Sequence, residues 1–133
     1  MAVTIEWGNA EKTIIRYIFT GRLRWGDYYP ALQTGREMMD SVTHKVCILN
    51  DMRNLDYFPP NMVSNARSVI KSRPENTGLA TFVTRSSFFK VLHRIIAQVV
   101  PEVPTGYLLV DDVDEAYRRL NTWLEENQTE LPS

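Results

Sequence analysis

The chain carries a single cysteine, Cys47, among its 133 residues. No intrachain disulfide can form, so the fold must hold by burial, and a reducing compartment is expected. Histidine is nearly as scarce, with only His44 and His93. No Cys/His spacing suits zinc, and neither a metal nor a cofactor is expected. The six glycines never fall at the spacing of a phosphate or dinucleotide loop. No serine lies in a Gly-x-Ser-x-Gly turn. These absences predict a protein that is not an enzyme. No apolar run approaches the ~20 residues needed to span a bilayer, and no basic segment followed by an apolar one opens the chain. A cytoplasmic location without membrane insertion is therefore expected. An excess of one charge is missing too, with 15 basic residues against 16 acidic. That balance argues against a nucleic-acid partner.

What is present is ordinary soluble-domain material, 44% apolar. The length predicts one domain over residues 1–128, with a flexible tail over 129–133. Val3, Ile5 and Trp7 alternate with polar residues, as a half-buried strand does. A turn follows, then a second strand over 13–23 rich in β-branched and aromatic residues, giving an antiparallel hairpin. Asp27 is placed to cap a helix whose apolar stripe is Tyr28, Leu32, Gly35, Met39 and Val42. Residues 46–49, Val-Cys-Ile-Leu, form a continuous apolar run suited to a strand covered on both faces. Cys47 within it reads as a small core residue. A helix over 61–73 with Met62, Ala66, Val69 and Ile70 as its buried face, a strand over 79–83, a helix ending at 100, a strand over 106–110 and a final helix with a capping box at Asp112–Glu115 complete the chain. The order is β-β-α-β-α-β-α-β-α, an α/β fold whose crossovers imply parallel core strands beside the hairpin.

Two groups of residues are candidates for function. The first lies at the carboxyl ends of the core strands, where ligands gather in open α/β sheets. It comprises Asn50, Asp51, Arg85, Ser86 and Ser87. The start of the helix after Arg85 combines free N–H groups, a dipole and a guanidinium, a combination that suits an anion. Asp51 and Asp111 oppose that reading by their charge. The second group is the helix over 88–100, whose apolar arc is wider than one core face needs. Phe89, His93, Ile96 and Val100 share a stripe there and are expected to face outward and mediate self-association, as a dimer.

The hairpin, the strand-and-loop HKVCILNDMRNLD and the closing LLVDDVDEAYRRLNTWLEE resemble the STAS superfamily, in particular its SpoIIAA-like branch of small stand-alone bacterial domains. The resemblance spans nearly the whole chain. It implies a non-enzymatic regulatory or protein-interaction module, whose partner is a second copy or another regulatory protein. A domain holding a small anionic or lipid-like ligand, at the strand-end rim or between helix and sheet, is the alternative. The family's phosphorylatable Asp-Ser-Ser-Gly motif corresponds to Pro59-Pro60-Asn61-Met62, where no hydroxyl is present. No phosphorylation switch is expected at that position.

Overall fold

The computed structural model describes residues 2–128. Strands β1 (Val3–Trp7) and β2 (Ile14–Arg22) pair antiparallel, with Val3 opposite Phe19 and Trp7 opposite Ile15. Asn9 builds their turn: its Oδ1 accepts from the N–H groups of Thr13 and Ile14 at 3.0 and 3.2 Å. Strands β3 (Val46–Tyr57), β4 (Thr77–Val83) and β5 (Tyr107–Val110) then add in parallel. The spatial order is β1-β2-β3-β4-β5, the order of the sequence. The mixed sheet expected from the hydrophobic pattern is thus present.

This order decides where the helices go. Parallel crossovers are right-handed, so crossovers that all step the same way across a sheet lie on one face. Helices α1 (Trp25–Asp40), α2 (Met62–Lys71), α3 (Ser87–Val99) and the single turn α4 (Val103–Gly106) make those crossovers. Helix α5 (Val113–Gln128) follows the last strand and covers the opposite face. The two-residue period of β2 serves both sides, with Ile14 in the α5 core and Ile15 in the α1 core.

Three local expectations change. The strand expected over 46–49 runs on to Tyr57, because its polar second half pairs with β2, Thr20 opposite Asn54 and Arg22 opposite Tyr57. Beyond Asp51, β3 no longer has β4 beside it, and its residues turn polar where helices no longer cover them. Helix α1 starts two residues before Asp27, with Arg24 as N-cap, and Asp27 sits in the first turn, favourable to the helix dipole. Turn α4 was not foreseen; its Val103 is buried beside Val100 and Ile96. The cap of α5 holds as read: Glu115 N–H donates to Asp112 Oδ1 at 2.7 Å. The tail expected over 129–133 lies outside the described residues.

Candidate functional site: a cavity between the sheet and three helices

Helix α2 buries only Ile70 fully. That side chain packs with Ile96, Val100 and Val103, from α3, its C-cap and α4, in a cluster that reaches the sheet at Tyr107. Polar tethers join α2 to α1. Trp25 Nε1 donates to the Pro60 carbonyl at 2.6 Å, Tyr29 bonds the Asn65 side chain, and Arg36 Nη2 donates to Ser72 Oγ at 2.8 Å and to the Val69 carbonyl at 3.3 Å. With its apolar face turned to α3 and its ends tied to α1, α2 stands off the sheet. The space left beneath it is a cavity of about 160 Å³.

Its floor is the sheet: Tyr17, Phe19, Ile48, Met52, Ala80 and Phe82. Its walls come from Tyr28, Leu32 and Met39 of α1, Met62, Ala66 and Val69 of α2, and Phe89 and Ile96 of α3. Such a concave lining of aromatic and aliphatic surface with a few polar groups is the usual character of a small-molecule site. The polar groups are Arg36, Arg73, Asn50, Thr77, His93 and the tyrosine hydroxyls, and no aspartate or glutamate is among the lining residues. Burial pushes the Tyr17 phenol up to about 12 and raises Tyr28 further, while the nearby Arg36 charge acts against both shifts. Arg73 is 3.5 Å from Glu102 Oε2, and His93 Nε2 donates to the Tyr107 carbonyl at 2.9 Å.

The residues singled out at the strand ends are brought to one rim but do not converge on a point. Side chains alternate along β3, so Asn50 enters the cavity while Asp51 points to the α5 face. Asn50 Nδ2 donates to the Thr81 carbonyl at 3.1 Å. Asp51 is held by Arg53 and Arg16, whose guanidinium groups approach its carboxylate to 2.8 and 2.7 Å. Their hydrogen bonds hold its carboxyl well below the usual carboxylate range. Ser86 caps α3, its Oγ accepting from Phe89 N–H at 3.2 Å. Arg85 and Ser87 are exposed.

The face of α3 is the reverse of the one expected. Phe89, Ile96 and Val100 are buried and His93 is half-buried, because the stripe they share is the one turned to the sheet and to α2. The outward apolar residues are Phe88, Val91, Ile95 and Val99, exposed by 59, 51, 46 and 44%. Both stripes are apolar at helical spacing. The sequence therefore shows that α3 has two apolar faces without showing which faces water.

No protein-family model matches this sequence, and no curated protein matches it. In backbone the chain is similar to a crystal structure of an uncharacterized DUF3478-family protein from Shewanella loihica PV-4 described as having a SpoIIAA-like fold. The match covers 90% of this chain and 92% of that one, with a TM-score of 0.64 at 13% identity. The fold is SpoIIAA-like. In this SpoIIAA-like domain the segment Pro59-Pro60-Asn61-Met62 enters α2 through Asn61, whose left-handed backbone (φ 61°) is one that asparagine tolerates. Ser64 lies one turn inside α2, with its Oγ donating to the Asn61 carbonyl at 3.2 Å.

A ligand place between helix and sheet is among those the sequence offers, but the sequence does not group the residues that line this cavity. Met39 and Met62 have the spacing of core residues, and Tyr17 and Tyr28 those of a strand and a helical stripe. The available signal lay in the shortness of α2, ten residues whose apolar members are Met62, Val63, Ala66, Val69 and Ile70. Among the described residues, no group of three or more His, Cys, Asp or Glu could hold a metal ion, and no helix is long and apolar enough to cross a membrane.

Proposed function

We propose that this domain is a non-enzymatic binding protein that holds a small, largely apolar ligand in the cavity beneath α1, α2 and α3. The carrying observation is the cavity volume of about 160 Å³ inside an aromatic and aliphatic lining. A dry apolar cavity of about 150 Å³ accepts a molecule the size of benzene. Well-packed interiors leave few voids larger than one water, so space of this size is a cost to stability unless something occupies it. The test is native mass spectrometry of the purified protein, followed by titration with benzyl alcohol. Wild type should carry or take up one small molecule per chain, and Ala66→Phe, which fills the space from α2, should not. A wild-type protein with no retained species and no saturable uptake would contradict the proposal.

A second reading is supported by the outer face of α3. Phe88, Val91, Ile95 and Val99 form a continuous exposed apolar line, the kind of surface that marks an interaction site. The regulatory role implied by the STAS resemblance would use this line, with a second copy of the chain as partner. Sedimentation of wild type beside Ile95→Lys tests it. A concentration-dependent dimer lost in the variant supports the reading, and a wild-type monomer at high concentration opposes it.

A further inference from the structure

Arg36 is the group in the cavity whose charge is unanswered. Arg73, the other lining arginine, has Glu102 within 3.5 Å. Arg36 forms no ion pair among the described residues. Its Nη2 is taken by a hydroxyl and a carbonyl on α2, and neither removes the charge. Its Nε is buried and has no hydrogen-bond partner. Buried donors are nearly always satisfied, and leaving one unmade is unfavourable. A half-buried cation lining an apolar space free of carboxylates is a site for an anion.

Two phenols share the cavity with it. Tyr17 and Tyr28 line the same cavity, and the Arg36 charge is felt by both rings. Among the described residues, neither hydroxyl has a hydrogen-bond partner. The Tyr17 oxygen packs against α1 at Gly35, next in sequence to Arg36, where a side-chain methyl would collide with it. Glycine at this position thus gives the phenol its place on the helix. Both phenols stay protonated at neutral pH, since burial raises them, and so both can donate.

We infer that the cavity selects a small monoanion, an aromatic or short-chain carboxylate, with its head on the Arg36 guanidinium and the Tyr17 and Tyr28 hydroxyls and its body on the apolar lining. The inference rests on the cavity being the binding site. One unanswered guanidinium neutralises one charge, and a dianion would leave a second one uncompensated in an apolar enclosure. The volume sets the size, near that of a single ring. Charge-assisted hydrogen bonds set the preference.

The experiment compares benzoate, benzyl alcohol and benzylamine, which share a ring and differ in head. Binding is followed on the full chain by NMR, including the Arg36 Nε–H resonance. Benzoate should bind at least about tenfold tighter than benzyl alcohol, with benzylamine weakest, and should move the Nε–H signal. Arg36→Met should reduce benzoate to the level of the alcohol, while Arg67→Met, at an exposed position of α2 outside the cavity, should keep the preference. Equal binding of benzoate and benzyl alcohol overturns the inference and leaves the cavity as a site for neutral ligands. Binding of neither overturns both. Should Arg36→Met fail to fold through loss of its tethers to α2, the wild-type resonance decides: an Nε–H signal unmoved by saturating benzoate overturns the assignment.

Discussion

On one face of the sheet, α5 lays Ala116, Leu120 and Leu124 onto Ile14, Cys47, Leu49 and Val83, and most of these are wholly inaccessible. A methyl added at Gly78 would lie 2.7 Å from Trp123 Cζ3. On the other face, α1, α2 and α3 roof the same strands and leave about 160 Å³ empty. The strands are common to both, so the difference comes from the helices. Helix α5 presents a single unbroken stripe, whereas α2 divides its few apolar residues between α3 and the space below it. One face is built to hold the domain together, and the other is free to bind.

The sharpest way to break this comparison is to truncate equivalent side chains on the two faces. Leu120→Ala on the α5 face should lose about 2–5 kcal/mol in chemical denaturation. Met62→Ala, on the cavity side of α2, should lose ~1 kcal/mol or less, because its neighbours already border empty space. Equal losses would mean the faces are packed alike.

Adding volume should reverse the pattern. Gly78→Ala forces a methyl into Trp123 and should cost about 1–3 kcal/mol. Ala66→Leu enters the cavity and should leave stability unchanged or higher while abolishing uptake of benzyl alcohol. Thermal melts of the two variants, with and without the alcohol, check both halves.

The α5 face also carries the charged cluster, which adds a pH dependence. Asp51 has a folded pKa held below its unfolded value by Arg53 and Arg16. Its contribution is complete above the unfolded carboxylate pKa of about 3.9, and is lost as pH falls below that toward the folded value. Stability measured from pH 6 down to pH 2 should fall, and Asp51→Asn should flatten the lower part of the curve. An unchanged slope in the variant would mean other carboxylates carry the acid sensitivity.

The smallest effect is expected outside both faces. Ile95→Lys on the exposed line of α3 should change monomer stability by no more than about 0.5 kcal/mol, whereas Ile96→Lys, one residue on, should unfold the domain. Circular dichroism melts separate the two.

These neighbours show what was legible in the sequence. Alternation at Val3, Ile5 and Trp7, the run at 46–49 and the Asp112–Glu115 cap are local signals, and each specifies its element through backbone and side-chain period. The strand directions followed, because a short turn implies an antiparallel hairpin and crossover-length helices imply parallel strands. The facing of α3 was not legible, since Phe88 and Phe89, or Ile95 and Ile96, are equally apolar and only the position of α2 distinguishes them. The second half of β3 was obscured by its polar residues, whose pairing is a property of β2. The cavity depends on how far α2 stands from the sheet, a distance set by Trp25–Pro60, Tyr29–Asn65 and Arg36–Ser72 contacts between segments far apart in sequence. Single-sequence periodicity carries no record of such contacts.

The central claim, that the space between the sheet and α1–α3 is the binding site, is tested most directly through methionine methyl groups. Met39, Met52 and Met62 line the cavity from α1, β3 and α2, and Met38, beside Met39 on α1, does not. Protein labelled with ¹³C at the methionine methyls would be titrated with benzyl alcohol and followed by two-dimensional NMR. The account predicts saturable shifts at Met39, Met52 and Met62 with Met38 unmoved. Saturable binding that shifts Met38 and leaves the other three in place, or no saturable shift at any of them, would contradict it.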